Sequence, residues 1–151
     1  MHDIFITGTF RNDWNRSFNE RLAAALETRG FSCHVPQRDT DQTNDRTKFE
    51  CNTSGIDGAR MLLAIGTKTQ TANWGFEIGY AAKGGKPILI ITDRAHPVEI
   101  MPAGASPLIL VLEHIDKIES YIEMLLSKIR EMLRSRDRGF LAVDRTPIAS
   151  E

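Results

Sequence analysis

The segment Asn73-Trp-Gly-Phe-Glu77-Ile-Gly-Tyr80-Ala-Ala82 lies between two apolar runs, at residues 60–65 and 87–91. Both runs have the length and the composition of buried strands. The segment between them is predicted to form a short helix, with Glu77 in its first turn and just beyond the carboxyl end of a strand. Ligands bind at that edge of open parallel sheets, and the positive end of the helix dipole favours an ionised carboxylate. Glu77 is therefore a candidate nucleophile.

Strand-like and helix-like patterns alternate along the whole chain, which is typical of a parallel sheet covered by helices on both faces. We expect a single α/β domain with three layers (αβα). Its five-stranded parallel sheet should be flavodoxin-like or Rossmann-like, with the strand order 2-1-3-4-5. The predicted strands are residues 3–7, 31–35, 61–65, 87–91 and 108–112.

The spacing of apolar residues predicts three further helices. Every fourth residue from Trp14 to Leu26 is apolar, and Gly30 stands where a left-handed cap belongs. Residues 45–58 contain several poor helix formers and are expected to be irregular or partly a loop. A long stripe should form the last helix, covering either the sheet or a partner subunit. Its residues are Ile115, Ile118, Ile122, Leu125, Ile129 and Met132.

The composition is that of an ordinary globular protein, with 151 residues, a formal charge of −1, 41% hydrophobic residues and 26% charged residues. This length suits one core, so we expect one domain at residues 1–135, followed by a polar C-terminal tail at residues 136–151. The tail either docks on a neighbouring subunit or is disordered. The nearly neutral charge gives no indication of a surface for nucleic acid polymers.

No apolar run approaches the roughly 20 residues of a membrane-spanning helix, and no secretory leader precedes the first strand. We therefore expect a cytoplasmic protein with no membrane partner. Cys33 and Cys51 lack the spacing of metal ligands and are too few for a disulfide framework, so free thiols are expected. No metal is expected either.

Two loops at the carboxyl edge of the sheet contain ligand-binding side chains. Gly8-Thr-Phe-Arg11 follows the first strand and offers a glycine for close approach, a hydroxyl, an aromatic face and a guanidinium, which together suit a phosphate or a sugar. Residues 35–42, which include Arg38 and Asp39, follow the second strand and should converge on the same edge. Neither a Gly-x-Gly-x-x-Gly fingerprint nor a Gly-Lys-Ser/Thr run is present, so no cofactor is expected.

Three segments between residues 3 and 92 resemble the nucleoside 2-deoxyribosyltransferase-like family, which includes nucleoside 5′-monophosphate N-glycosidases. They are residues 4–10, residues 35–40 and residues 76–87, and the last is the most specific. The resemblance implies that Glu77 attacks the anomeric carbon, expels the base and forms a glycosyl-enzyme ester, which water or a second base resolves. It also implies a small nucleoside or nucleotide substrate and a homodimer or larger homo-oligomer.

Two positions depart from the pattern of the family's transferases. Thr71 stands where they have an aspartate for the sugar 5′-hydroxyl, and a threonine would not repel a phosphate. The monophosphate-hydrolysing members resemble this chain there, and they also have an arginine where Arg11 stands. Asn52 stands where the family has an aspartate that assists the leaving base, and an amide cannot protonate a base at neutral pH. Either another group such as Asp39 is the acid, or the substrate leaves without one, or activity is weak.

The resemblance and the loops together give a set of candidate site residues. Tyr80 lies three residues after Glu77 and either holds its carboxylate by a hydrogen bond or packs between helices. The catalytic candidates are Glu77, Asn52 and Tyr80. The candidates for substrate binding are Gly8, Thr9, Phe10, Arg11, Arg38, Asp39, Thr71, Asn73 and Gly75.

Two other functions are compatible with the same residues. The strand at residues 3–7 and the Trp74-x-x-Glu77 pattern are similar to Toll/interleukin-receptor-like domains, which assemble in signalling or cleave NAD. A nucleotide-binding module without turnover is the third hypothesis, since Asn52 and Thr71 replace two aspartates.

Overall fold

The computed structural model describes residues 1–137. The strands are β1 (His2–Thr7), β2 (Cys33–His34), β3 (Ala59–Ile65), β4 (Ile88–Thr92) and β5 (Leu108–Val111). The helices are α1 (Asp13–Glu27), α2 (Pro36–Asp39), α3 (Asp45–Gly58), α4 (Ala72–Lys83), α5 (Ile100–Ala105) and α6 (Ile122–Asp137). A 3-10 segment, Ile115–Tyr121, precedes α6.

The five strands form one sheet in the order β2-β1-β3-β4-β5, and every neighbouring pair is parallel. The predicted fold class and strand order are therefore confirmed. In the register of the sheet, Thr7 at the end of β1 lies beside Ala64 of β3, and Ile65 lies beside Ile91 of β4. The carboxyl ends of the central strands are thus level, and the loops that follow them share one edge.

Alternate residues of each strand pack into opposite helical layers, because successive side chains of a strand point to opposite faces. Ile4 and Ile6 lie in one core with α1 and α6. Phe5 lies in the other core, against Ile56 of α3 and Ile78 of α4. Because α3 and α4 cover the same face of the sheet, polar residues on their facing sides can meet beside the carboxyl edge.

Helix α3 is continuous, so the expected irregularity was wrong. Its N-cap is Asn44, whose side chain accepts a hydrogen bond from the Thr47 amide at 2.9 Å. Gly55 lies against the sheet, where an added Cβ would come within 2.9 Å of Phe5 and 3.0 Å of His34. Packing against the sheet and the cap together outweigh the weak helix propensity of the segment.

Strand β2 has two residues rather than the predicted five, because the backbone that follows it bonds to a side chain instead of to a neighbouring strand. The Val35 amide donates to the Asp39 carboxylate at 2.8 Å, and Pro36 begins α2 with no amide hydrogen to contribute to a ladder. A short edge strand of this kind exposes few unpaired backbone groups.

The last helix is divided by a kink at Lys117, where the backbone is not helical. The apolar stripe of α6 packs in the core with the sheet, as one of the two sequence alternatives predicted. The helix continues to Asp137, the last described residue, so it passes the expected domain boundary at residue 135, and the rest of the predicted tail lies outside the described residues. No helix within residues 1–137 is both long enough and apolar enough to cross a membrane.

Candidate active site

A cavity of about 540 Å³ opens at the carboxyl edge of the sheet, between the loop after β1 and helices α3 and α4. Eight of the predicted site residues line it, namely Gly8, Thr9, Phe10, Arg11, Asn52, Thr71, Asn73 and Glu77. Several lining residues were missed by the sequence interpretation, and those with polar or aromatic side chains include Thr7, Thr40, Gln42, Asp45, Lys48, Phe49 and Phe76. A hydroxyl at the last position of β1 was a signal for Thr7, since that position faces the ligand edge.

The loop after β1 is fixed by buried polar side chains. The Asn19 side-chain amide donates to the Thr9 carbonyl at 3.1 Å, and the Thr9 amide donates to the Thr69 hydroxyl at 3.4 Å. A Cβ at Gly8 would come within 2.8 Å of Asn19 Oδ1 and 3.0 Å of Ile65. Glycine is therefore required here by the protein's own packing, and the loop presents its hydroxyl and backbone to the cavity from a fixed position.

Glu77 is the sixth residue of α4, in the second turn and not in the first as predicted. The helix begins at Ala72 because the Thr71 hydroxyl caps it, accepting a hydrogen bond from the Trp74 amide at 3.3 Å. The carboxylate accepts one hydrogen bond on each oxygen. The Thr7 hydroxyl donates to Oε2, and the Asn52 amide donates to Oε1 at 2.9 Å. Three separate elements, β1, α3 and α4, thus meet at this carboxylate.

Burial raises the pKa of Glu77 above its ordinary value, and the hydrogen bonds from Thr7 and Asn52 oppose that rise. The dipole argument from the sequence predicted the opposite tendency. It fails because the field of a helix terminus falls off within the first turn and Glu77 lies in the second. The two donors are consequently what supports the charged form, while each oxygen keeps a lone pair for other interactions.

A chain of hydrogen bonds fixes the orientation of the Asn52 side chain. Asn52 Oδ1 accepts from the Thr40 hydroxyl at 2.6 Å, and Thr40 Oγ1 lies 3.1 Å from His34 Nε2. Because the only hydroxyl proton of Thr40 is given to Asn52, His34 must donate from Nε2. His34 is buried, and its ring stacks on that of Phe5 with 4.8 Å between the ring centroids. Burial lowers the pKa of His34. The amide of Asn52 is thereby turned towards Glu77.

Tyr80 does not reach the carboxylate of Glu77. Its hydroxyl donates to Asp57 at 2.8 Å, and its ring packs against Phe76 at 6.0 Å between centroids. The sequence alternative of packing between helices describes it better than the proposed hydrogen bond. Gly75 is also absent from the lining of the cavity, and the space around its α-carbon is open.

Arg38 and Asp39 are not brought to the cavity. Arg38 pairs with Glu27 at the end of α1, with Asp39, and with the Cys33 carbonyl. Burial opposes ionisation of Asp39, but the hydrogen bonds from Arg38 and the Val35 amide outweigh it and lower its pKa. Asp39 is therefore an ionised residue outside the cavity lining, and this position does not favour the suggestion that it supplies a proton to a leaving base.

The mouth of the cavity combines charged and aromatic side chains. Within residues 1–137, the Arg11 guanidinium has no hydrogen-bond or ion-pair partner, whereas Lys48 pairs with Asp45 at 3.4 Å. Phe49 and Phe76 are 54% and 50% exposed, with ring centroids 5.9 Å apart. Across the part of the chain that the structure describes, no group of three or more His, Cys, Asp or Glu residues could hold a metal ion.

Comparison with known proteins gives a family match for the sequence. Residues 1–95 match the family model described as "Nucleoside 2-deoxyribosyltransferase like". A search of curated protein sequences found no match.

Solved structures with similar folds include a 2-deoxyribosyltransferase from Bacillus psychrosaccharolyticus, which is 15% identical with a TM-score of 0.66. The alignment covers 79% of this chain and 91% of the transferase chain. A CMP N-glycosidase from Clostridium botulinum is 14% identical, with a TM-score of 0.58 and coverage of 80% and 98%. The TIR domains of the activated Roq1 resistosome are 14% identical, with a TM-score of 0.52 and coverage of 88% and 81%. At these identities the likeness concerns the fold, whereas the family model matches the sequence itself. The chain belongs to the nucleoside 2-deoxyribosyltransferase-like family.

Proposed function

We propose that this protein cleaves the N-glycosidic bond of nucleoside 5′-monophosphates, with Glu77 as the nucleophile. The main support is the position of its carboxylate, which lines the cavity and is held by Thr7 and Asn52. A carboxylate fixed in this way can stabilise an oxocarbenium-like centre and also bond to it. Membership of a family of glycosyl-transferring and N-glycosidic enzymes supports the same chemistry.

The reaction takes place in two displacements. A Glu77 oxygen forms a bond to the sugar C1′ atom while the bond from C1′ to the base breaks, and the electron pair of that bond goes to the base nitrogen. The product is a glycosyl ester on Glu77. Water or an acceptor base then attacks C1′ while the ester bond to Glu77 breaks and its electron pair restores the carboxylate. The proton lost by the attacking group passes to the released base or to solvent, giving hydrolysis with water and base transfer with an acceptor base.

Preference for a 5′-phosphate is supported by three donor side chains that line the cavity. The Arg11 guanidinium is without a partner in the described part of the chain, and the hydroxyls of Thr9 and Thr71 also line the cavity. A guanidinium and hydroxyl groups are suitable donors for a phosphate. The solved CMP N-glycosidase, whose named substrate is a nucleoside monophosphate, is consistent with this preference.

Replacement of Thr71 by aspartate should lower kcat/KM for a nucleoside 5′-monophosphate by about 10-fold to 100-fold more than for the matching nucleoside, since the new charge repels the phosphate. Aspartate is as good an N-cap as threonine, so α4 should begin at the same residue. Asn44→Asp is the matched control, because it adds the same charge at the N-cap of α3, a residue that does not line the cavity. Equal losses on nucleoside and nucleotide would exclude a phosphate subsite at Thr71.

Base release measured by chromatography tests the proposed function. The protein is incubated separately with deoxynucleosides, ribonucleosides, their 5′-monophosphates and NAD, each with and without an acceptor base. Release from monophosphates, together with a sugar-phosphate adduct on Glu77 in intact-protein mass spectra of a 2′-fluorinated analogue, is the expected result. Cleavage of NAD alone would favour the Toll/interleukin-receptor-like alternative. Binding without any base release would favour a nucleotide-binding module.

A further inference from the structure

The cavity holds no acid in contact with the Glu77 carboxylate, as far as residues 1–137 are concerned. Its lining includes two carboxylic acids, Glu77 and Asp45. Glu77 is the nucleophile of the proposed reaction. Asp45 is the first residue of α3, and its fully exposed carboxylate pairs at 3.4 Å with Lys48, which also lines the cavity. Neither side chain is hydrogen-bonded to Glu77.

The side chain nearest to Glu77 on α3 is an amide and not an acid. Asn52 gives one proton to Glu77 and uses its oxygen to accept from Thr40. His34 stands behind Thr40, and its lowered pKa keeps it neutral at physiological pH. An amide does not release a proton in this range, so the hydrogen-bond chain orients Asn52 without supplying an acid.

The missing acid restricts which bases can leave. A neutral purine or pyrimidine departs as an anion unless a proton reaches it, and general acid catalysis commonly contributes about 10²-fold to 10⁴-fold to such a step. A base that is already positively charged needs no proton. When Glu77 attacks C1′, the electron pair of the breaking bond returns to the charged ring nitrogen, and the base departs as a neutral molecule.

The aromatic side chains at the mouth of the cavity suit a flat cation. Phe49 and Phe76 line the cavity, are about half exposed, and lie 5.9 Å apart between centroids. Aromatic faces attract positive charge, and these two adjacent rings are accessible to a ligand in the cavity. The positive charge of Lys48 is offset by Asp45, so it does not oppose a cation beside the two rings.

We propose that the preferred substrates are 5′-phosphorylated N-glycosides of positively charged heteroaromatic bases, such as N-substituted pyridiniums and N7-alkylated purines. This inference rests on the proposed function and names its substrate class. The phosphate is held by Arg11 and Thr71, the sugar lies over Glu77, and the charged ring lies against the exposed surfaces of Phe49 and Phe76.

The test compares Asn52→Asp with the wild-type protein on two cationic substrates, nicotinamide mononucleotide and 7-methylguanosine 5′-monophosphate, and on two neutral ones, CMP and GMP. An aspartate beside Glu77 should share one proton with it, so the variant gains an acid while the hydrogen bond between the two residues is kept. We expect the ratio of kcat/KM for the neutral substrates to kcat/KM for the cationic ones to be about 10²-fold higher in the variant than in the wild type. Taking the ratio of variant to wild type for each substrate cancels the greater intrinsic lability of the cationic bases.

The wild-type pH profile is the second measurement and does not depend on the variant folding. For a cationic substrate, kcat should rise once with pH as Glu77 ionises and should show no fall at higher pH. Wild-type protein that cleaves GMP as fast as its N7-methylated form, with a fall at high pH that reports an acid, would overturn this proposal while leaving the proposed function intact. If no substrate loses its base and no adduct forms on Glu77, the proposed function itself is wrong.

Discussion

Glu77→Gln should lower the rate of base release from a nucleoside 5′-monophosphate by about 10⁴-fold or more, because an amide oxygen is not a competent nucleophile. Glutamine has the size of glutamate and fits the same contacts. The Asn52 amide can rotate so that its oxygen accepts from the new glutamine amide, and Thr40 can then receive a proton from Asn52 and donate to His34. Base release by chromatography and the loss of the covalent adduct are the two measurements.

Glu50→Gln is the matched control for this substitution. Glu50 lies on α3 and is exposed, and its carboxylate pairs only with Arg46 among the contacts of the described residues, so its loss should leave turnover within about 2-fold of wild type. Retention of activity in Glu77→Gln would remove Glu77 from the mechanism. A parallel loss in Glu50→Gln would mean that the assay reports something other than the nucleophile.

The same variant, Glu77→Gln, should be more stable than the wild type at neutral pH. Burial raises the pKa of Glu77 in the folded protein above its unfolded value, so the favourable contribution of the protonated form is complete below the unfolded pKa and is lost as pH rises through the folded pKa. Glutamine carries no such charge. The melting temperature of Glu77→Gln should therefore exceed that of the wild type at neutral pH, and the difference should shrink in acid. A lower melting temperature at every pH would indicate a structural role for the carboxylate.

Thr7→Val should shift the dependence of turnover on pH towards alkaline pH. The hydroxyl of Thr7 donates to Glu77 Oε2 and lowers the pKa of that carboxyl, so its removal lets burial raise the pKa further. Only the ionised carboxylate attacks, and its ionisation now requires a higher pH. A hydrogen bond to a charged group is worth about 1.5–3 kcal/mol, so we expect a loss of about 10-fold to 100-fold on the acidic side of the profile.

Thr92→Val provides the comparison for Thr7→Val. Thr92 occupies the corresponding last position of β4, is as buried as Thr7, and donates to the His96 carbonyl rather than to a cavity residue. Loss of the Thr92 hydroxyl removes one buried hydrogen bond and should lower stability without shifting the acidic limb of the pH profile of kcat. If both variants move that limb equally, the effect of Thr7 is a general loss of packing and not a direct contact with Glu77.

The sheet and its order were predictable because they depend on local patterns. Buried parallel strands are short apolar runs, the helices between them show their own period, and short right-handed connections leave few ways to order the strands. The place of Glu77 at the ligand edge was predictable for the same reason, since its distance from a strand end is a property of one segment. The end of β2 was not, because it depends on a carboxylate four residues later, Asp39, that bonds to the Val35 amide.

The partners of Glu77 could not be deduced from local patterns. Thr7 is 70 residues away along the chain and Asn52 is 25 residues away, so their contacts depend on how two helices and a strand pack together. Arg38 is a residue for which the local pattern suggested a contact that the fold does not form. It stands in a loop at the correct edge of the sheet, but Glu27 on α1 is within reach, and a bidentate pair with that residue is formed instead of a ligand contact.

Close packing of α3 at Gly55 sets a limit on how this protein can be engineered for heat resistance. Alanine in place of a helical glycine commonly adds about 0.5–1 kcal/mol of stability. Gly79 of α4 has room for such an alanine, because a methyl group there would touch no atom within 4 Å. At Gly55 the same methyl group would press on Phe5 and His34, one helical turn from Asn52, and would displace the amide from Glu77. We expect Gly79→Ala to raise the melting temperature with turnover preserved, and Gly55→Ala to lose turnover even if the fold survives, so an alanine scan for thermotolerant variants should leave residue 55 unchanged.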